Sequence, residues 1–250
     1  MRTKKGNVIL IPCPISDGMT ETIPQATVNA IYSTKYFAVE KAKTARHFLK
    51  HIGHPDPIAS LFIHEFSTSK SDNEAFFKHL FDGNDIGVLS EAGNPCIADP
   101  GHSIVNFAHN HDIKVIPMVG PSSILLALIS SGFNGQNFTF HGYLSAKKPE
   151  LKNQLKALET KVQNSAQTQI FMETPYRVSF MMETILQTLR PESMLCVAAE
   201  LSGENESICQ KSIKRWIIDG YDDFIKKPSI FLIGKTTFLW FLGFISLNNF

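Results

Sequence analysis

Short apolar runs alternate with helix-patterned stretches along nearly the whole chain, and this alternation limits the fold more than any other feature. The runs NVILIP (7–12), YFAV (36–39), LFIHEF (61–66), DIGVLS (85–90) and KVIPMV (114–119) read as strands. So do FTFHGY (138–143), TQIFME (168–173), MLCVAAEL (194–201) and SIFLIG (229–234). Helical patterns occupy 24–32, 41–52, 71–82, 102–110, 122–131, 149–160, 175–189 and 211–219. Such alternation predicts an α/β protein whose sheet is largely parallel, at least in the first half. SDNE, at Ser71 to Glu74, has capping-box spacing ahead of Phe76 and Phe77. SGFNGQN (131–137) is the densest turn cluster in mid-chain. It predicts two α/β lobes, 1–130 and 138–237, joined by a linker at 131–137 and followed by an apolar tail at 238–250. The crevice between two such lobes is a favoured ligand site.

Composition narrows the class. With 250 residues, 43% of them hydrophobic and 19% charged, the chain can fill one large core or two smaller ones. A formal net charge of +1 leaves no global electrostatic case for nucleic acid, so any basic surface must be local. Four scattered Cys, without a CxxC, point to reduced thiols and a cytoplasmic protein. The run VILIP is too short for a signal peptide, and FLWFLGFISLNNF falls short of the roughly 20 residues that span a bilayer. We expect no membrane segment, and read the tail as a packing or oligomer contact. His47, His51 and His54 would share a helical side only if the helix ran through Gly53 and Pro55, which should end it. No Cys or carboxylate has zinc-like spacing with them, so no metal is expected. Met181 and Met182 read as core.

Three stretches at predicted strand ends carry loop chemistry: PCPISDG (12–18), SEAGNPCIADPG (90–101) and VGPSS (119–123). Ligands of open α/β sheets bind beyond the carboxyl ends of the strands. Gly93 and Gly101 permit close backbone approach or positive φ, while Pro95 and Pro100 stiffen what lies between. Pro121–Ser122–Ser123 reads as a helix start, whose free N–H groups favour a carboxylate or phosphate. Neither a GxGxxG after the first strand nor a GxxxxGK[ST] occurs, which argues against a dinucleotide fold and a P-loop nucleotidase.

These residues carry a resemblance. VLSEAGNPCIADPG resembles the V-S-D-A-G-x-P-x-I-x-D-P-G block of the tetrapyrrole methylase superfamily. Other blocks follow in the same order: VIPMVGPSSILLALISSGF (115–133), FTFHGYLSAKK (138–148), IFMETPYRV (170–178) and, less fully, AAELSGENESI (198–208). More narrowly, the chain is similar to the branch that 2′-O-methylates a cytidine of small-subunit ribosomal RNA. The resemblance implies two α/β lobes, a cofactor crevice between them holding S-adenosylmethionine, and a homodimer. By motif position, Pro12, Glu91, Gly93, Ile97, Ser122, Ser123, Met172, Leu201 and Ser229 would line the cofactor site. Glu91 stands where the family has Asp, and a polar contact to the cofactor is expected there.

The chain also departs from that branch. PCPISDG replaces P-T-P-I-G-N-L, and VEKAK replaces A-E-D-T-R, which keeps Glu40 and puts Lys41 in place of an acid. The catalytic candidates are therefore only Glu40 and Glu173. Basic surface for RNA is sought in MRTKK (1–5), KKPELKNQLK (147–156) and KSIKR (211–215), with Lys147, Lys148 and Arg177 as substrate candidates. Two alternatives to RNA methylation stay open. One is carbon methylation of a tetrapyrrole. The other is a cofactor-binding module without catalysis, suggested by the altered VEKAK.

Overall fold

The computed structural model describes residues 4–67 and 69–236. The expected tail at 238–250 and the first three residues of MRTKK lie outside the described residues. The chain divides into two compact units, 1–122 and 123–250.

The first unit is a parallel sheet of β1 (Val8–Ile11), β2 (Tyr36–Val39), β3 (Phe62–Glu65), β4 (Ile86–Leu89) and β5 (Val115–Pro117), in the order β3-β2-β4-β1-β5. The strands read as continuous apolar runs because both faces are covered. On one face Ile9, Ile11, Phe37, Val39 and Leu89 pack with Ile31 of α1 (Gln25–Ser33) and with Ala45, Phe48 and Leu49 of α2 (Ala42–His51). On the other, Val8, Ala38, Ile86 and Val88 pack with Phe77 of α3 (Lys70–Phe77) and with Ile104 and Ala108 of α4 (His102–Asn110). The strict alternation along each strand is the period of two that a strand imposes. Burying one side chain such as Phe37 or Leu49 contributes about 1.5–3 kcal/mol.

Strand order creates a switch point. The connection leaving β1 runs to β2, passing β4, whereas the connection leaving β4 runs to β5, passing β1. Neighbouring strands thus send their chains in opposite directions, which opens a crevice at their carboxyl ends. Both PCPISDG and SEAGNPCIADPG leave from this point.

The second unit opens with α5 (Ser123–Ser131), followed by β6 (Phe138–Tyr143), α6 (Lys148–Ser165), β7 (Thr168–Glu173), α7 (Val178–Thr188), β8 (Met194–Ala199), β9 (Ser207–Ser212), α8 (Ile213–Asp219) and β10 (Ser229–Gly234). Its sheet is mixed, in the order β6-β7-β10-β8-β9, with only β6 and β7 parallel. Met181 and Met182 are fully buried in its core, as expected.

The structure differs from the sequence expectations in four places. The division falls between Ser122 and Ser123, whereas 131–137 merely turns α5 into β6. The physical reason is that α5 packs on β8, β9 and β10, and the ring of Phe133 fills the space where Gly234 has no side chain. Strand β9 was not anticipated. Its sequence, SICQKS, pairs along β8 at the sheet edge, where no residue is fully buried, so it lacks an apolar run. Helix α3 begins at Lys70, and its N-cap is Ser69, whose Oγ accepts from the Asp72 amide, so the box spacing at Ser71 is not used. Helix α6 continues to Ser165, beyond the expected end at 160.

One prediction follows from the close approach of the first and third loops. A Cβ on Gly120 would lie 2.2 Å from Cγ of Pro12, whose ring cannot swing away. Gly120→Ala should destabilise the first unit by about 1–3 kcal/mol, read as a lower urea midpoint. Gly135→Ala, where a Cβ meets nothing within 4 Å, should leave the midpoint in place.

Candidate functional site

Three loops meet at the carboxyl edge of the first sheet, and each pair of them is tied. Cys13 N–H donates to Gly93 O (2.8 Å) and Gly93 N–H to Cys13 O (3.1 Å), an antiparallel bridge that joins the first loop to the second. Asn94 Nδ2 donates to Pro121 O (3.1 Å), joining the second to the third. Pro12 seats against Gly120, joining the first to the third. Thr27 Oγ1 adds a bond to Val119 O (2.7 Å) from α1.

The second loop is the most constrained. Gly93, Cys96, Ala98 and Gly101 all have positive φ, at 69°, 71°, 61° and 132°. For Cys96 and Ala98 that conformation costs about 1–3 kcal/mol each and persists only where the surroundings hold it. Ser90 is buried, and its Oγ lies 3.3 Å from both Ala92 O and Gly93 O, which closes the turn. Such strain concentrates at binding and catalytic sites.

The same edge gathers carboxylates. Glu40 follows β2, Glu91 follows β4, and Asp99 lies in the strained loop. Burial first, then repulsion from Glu40 and Glu91, pushes Asp99 up from 3.8 to about 6. Glu91 is held the other way. Its short hydrogen bond from Lys41 Nζ lowers its pKa, against a partial desolvation, with help from Thr44 Oγ1 at 2.9 Å. The same bond raises Lys41. Glu65 Oε1 accepts from the Ala42 amide (2.5 Å) and so occupies the N-terminus of α2. Glu40 Oε2 is buried and has no hydrogen-bond partner among the described residues. Cys13, the deepest group here, is pushed up to about 12 by burial and then by Asp99, so it stays a neutral thiol.

In the second unit, β10 begins at Ser229, opposite Glu173 at the end of β7 and Ala199 at the end of β8. Met172, Leu201 and Ser229 therefore share one edge of that sheet. Glu173 is buried, with Oε1 accepting from Thr174 N–H (2.8 Å). Its Oε2 lies 3.1 Å from Arg177 Nη2, an electrostatic contact without a hydrogen bond. Arg177 also donates to Ser145 O (3.3 Å).

The expected site residues sort accordingly. Pro12, Glu91, Gly93 and Ile97 stand in or beside the tied loops of the first unit, with Ile97 exposed. Ser122 ends that unit and Ser123 begins α5. Arg177, expected to meet substrate or to pair internally, lies against Glu173. Lys147 and Lys148 are exposed at the start of α6, Lys147 with Glu150 at 3.5 Å. In the other expected basic runs Lys211 and Arg215 each hold Asp219 at 3.0 Å, and Lys5 donates to His111 O. Asp99 escaped the sequence reading although it lies inside the block that anchored it. The only signal was an acid between two left-handed positions, and φ is not legible in sequence. Helix α2 ends at His51, and His54 turns into the core, with Nε2 3.0 Å from Thr34 O. Among the described residues no group of three His, Cys, Asp or Glu could hold a metal, and no helix is long and apolar enough to cross a membrane.

Beside these loops a cavity of about 180 Å³ lies between the first loop and α2, lined by Cys13, Ile15, Ser16, Thr44, His47 and His51, among others.

Comparison with known proteins agrees with the fold. A ribosomal RNA small subunit methyltransferase I from Vibrio cholerae is 28% identical over 227 residues, covering 90% of this chain and 75% of that protein. A Bacillus subtilis protein of the same name is 28% identical over 233 residues, covering 93% and 71%. Among solved structures, the methyltransferase CobJ superposes with a TM-score of 0.61 at 14% identity, over 92% of this chain and 94% of that one. A uroporphyrin-III-C-methyltransferase from Thermus thermophilus gives 0.53 at 15% identity, over 94% of each. The family model for tetrapyrrole (corrin/porphyrin) methylases matches residues 8–215, and with the switch-point loops in place the chain belongs to that methyltransferase family.

Proposed function

We propose that this methyltransferase uses S-adenosylmethionine to methylate a ribose 2′-hydroxyl of ribosomal RNA. The observation that carries the cofactor assignment is the acidic edge at the switch point, where Asp99 is crowded by Glu40 and Glu91. A ligand bearing a sulfonium and an ammonium relieves that crowding. Backbone groups held open by the left-handed residues of loop 90–101 suit its polar edges. When bound, S-adenosylmethionine supplies an electrophilic methyl group. Glu40 is the general base we assign, because its Oε2 has no hydrogen bond to give up. Glu173 is a poorer base, since its carboxylate is already held by Thr174 and Arg177. Support for RNA over a tetrapyrrole comes from the relatives in Vibrio cholerae and Bacillus subtilis, both named as ribosomal RNA methyltransferases and matched over most of the chain. On the same resemblance we take the protein to be a cytoplasmic homodimer. Met172, Leu201 and Ser229 remain assigned to the cofactor by motif position alone.

Titration calorimetry with a chelator present should show binding of S-adenosylmethionine or its demethylated product. Asp99 is raised to about 6, so near pH 6 it is about half protonated. A bound cation favours its ionised form, hence binding at pH 6 should release protons, and should do so less at pH 8. The observed heat at pH 6 should therefore change with the ionisation heat of the buffer, and Asp99→Asn should remove that dependence. Absence of heat with both ligands overturns the cofactor assignment.

Glu40→Gln keeps the shape and removes the base. Methyl transfer to small-subunit RNA at saturating cofactor should fall by about 100-fold or more, while cofactor affinity weakens as well, since Glu40 is one of the charges that face the cation. Equal rates for the two proteins would take the base away from Glu40.

A further inference from the structure

We infer that α2 and the cavity beside it form the docking groove for the RNA, with one nucleotide held in the cavity and its flanking phosphates on the helix. This inference rests on the RNA reading above and says where the substrate sits on the first unit.

The sequence of α2, AKTARHFLKH, contains no carboxylate. Lys43, Arg46 and Lys50 fall at i, i+3 and i+7, which makes one stripe, and all three are exposed. None of them takes part in an ion pair within the described residues. In the other basic runs Lys147, Lys211 and Arg215 each hold a carboxylate, Glu150 of α6 or Asp219 of α8, whereas α2 carries no acid of its own. At 1.5 Å per residue the stripe is about 10 Å long, enough for more than one phosphate of a single strand.

One residue further along lies a second stripe with the same spacing, Thr44, His47 and His51, and these three line the cavity. The two imidazoles stand near-parallel, with centroids 6.2 Å apart and planes at 19°. Cations beside flat rings along a groove are what single-stranded nucleic acid binds, the rings taking the bases and the cations the backbone. The opposite wall is the first loop, whose Ser16 and Asp17 bring polar groups to a base edge. Glu91 and Thr44, bonded to each other, line the cavity, and Glu91 acts with Glu40 on Asp99. A nucleotide in the cavity thus leads to the carboxylates, where the reacting hydroxyl has to be.

Fluorescence anisotropy of a labelled small-subunit ribosomal RNA hairpin, titrated across a salt series, tests the groove. A variant carrying Lys43→Ala, Arg46→Ala and Lys50→Ala should bind at least 10-fold more weakly at low salt. Its salt slope should be shallower by about 2 units of log K per log salt, since each single-strand contact is worth about 0.7. Alanine favours helix, and unchanged circular dichroism and unchanged calorimetry with S-adenosylmethionine show that fold and cofactor site survive. His47→Ala should weaken binding by about 5- to 150-fold, the worth of one stacked base, and His47→Phe should restore most of it. Unchanged slope and affinity in the triple variant would overturn the groove. If RNA binding by the wild-type protein instead falls with Lys147→Ala and Lys148→Ala, the RNA reading survives without it. A wild-type protein that binds no RNA yet methylates a precorrin overturns both.

Discussion

Two hydrogen bonds between Cys13 and Gly93 hold the arrangement on which the rest depends. Strands β1 and β4 run parallel as far as Ile11 and Leu89, then part company because the strand order sends their chains opposite ways. An antiparallel bridge two residues further on requires one of the chains to double back, and Ser90–Gly93 does so, with Gly93 at φ 69°. Its two ends, Ser90 and Gly93, are buried, so their polar groups must be satisfied internally. Ser90 Oγ and the bridge itself do this. Once Gly93 is pinned, Asn94 reaches Pro121, and residues 96–101 have no relaxed route back to α4. The left-handed conformations of Cys96 and Ala98 are therefore imposed from both ends of the loop, which accounts for their tolerance of the strain.

Charge follows from that geometry. Lys41 and Glu91 neutralise each other across the gap between the ends of β2 and β4. Glu40 shares the same Lys41 only at a distance, and burial makes its repulsion of Asp99 felt. Local neutrality beside a deficit of positive charge is how a site prefers a cation over water without a permanent ion. Glu91 is less available than its motif position implies. Any contact it makes to a cofactor competes with the bonds from Lys41 and Thr44.

Much of the first unit was legible because its physics is local. Strands buried on both faces must be apolar throughout, so β1, β2 and β4 announce themselves, and Gly–Pro clusters can only be loops. What failed to show depends on partners distant in sequence. Strand β9 is polar because an edge strand beside β8 can be, and no apolar run betrays it. Helix α5 reads as the last helix of the first lobe, but its buried face fits β8 to β10 and the ring of Phe133 fits Gly234. The raised carboxyl of Asp99 needs residues 40, 91 and 99 brought to one edge. The α2 stripe was present in the sequence and still missed. Consecutive lysines draw the eye, whereas three cations spaced by a helical period within a chain of net charge +1 do not.

The charges at positions 40 to 43 mark how far the chain has departed from the branch it resembles. Where that branch has an acid pair followed by an arginine, this chain has Glu40, Lys41 and Lys43. Lys41 points its charge at Glu91, and Lys43 sits on the open stripe of α2, so the substitution redistributes charge and does not erase the site. Counting Glu40, Glu91 and Asp99 against Lys41 gives −3 + 1 = −2 when all are ionised, and −1 with Asp99 protonated. A cationic ligand brings either sum closer to zero. An acid at position 41 would lower both sums by two charges and leave Glu91 unpaired. The lysine thus lets the chain keep Glu40 and Asp99 beside each other in a half-buried edge with a deficit that one small cation can nearly cancel.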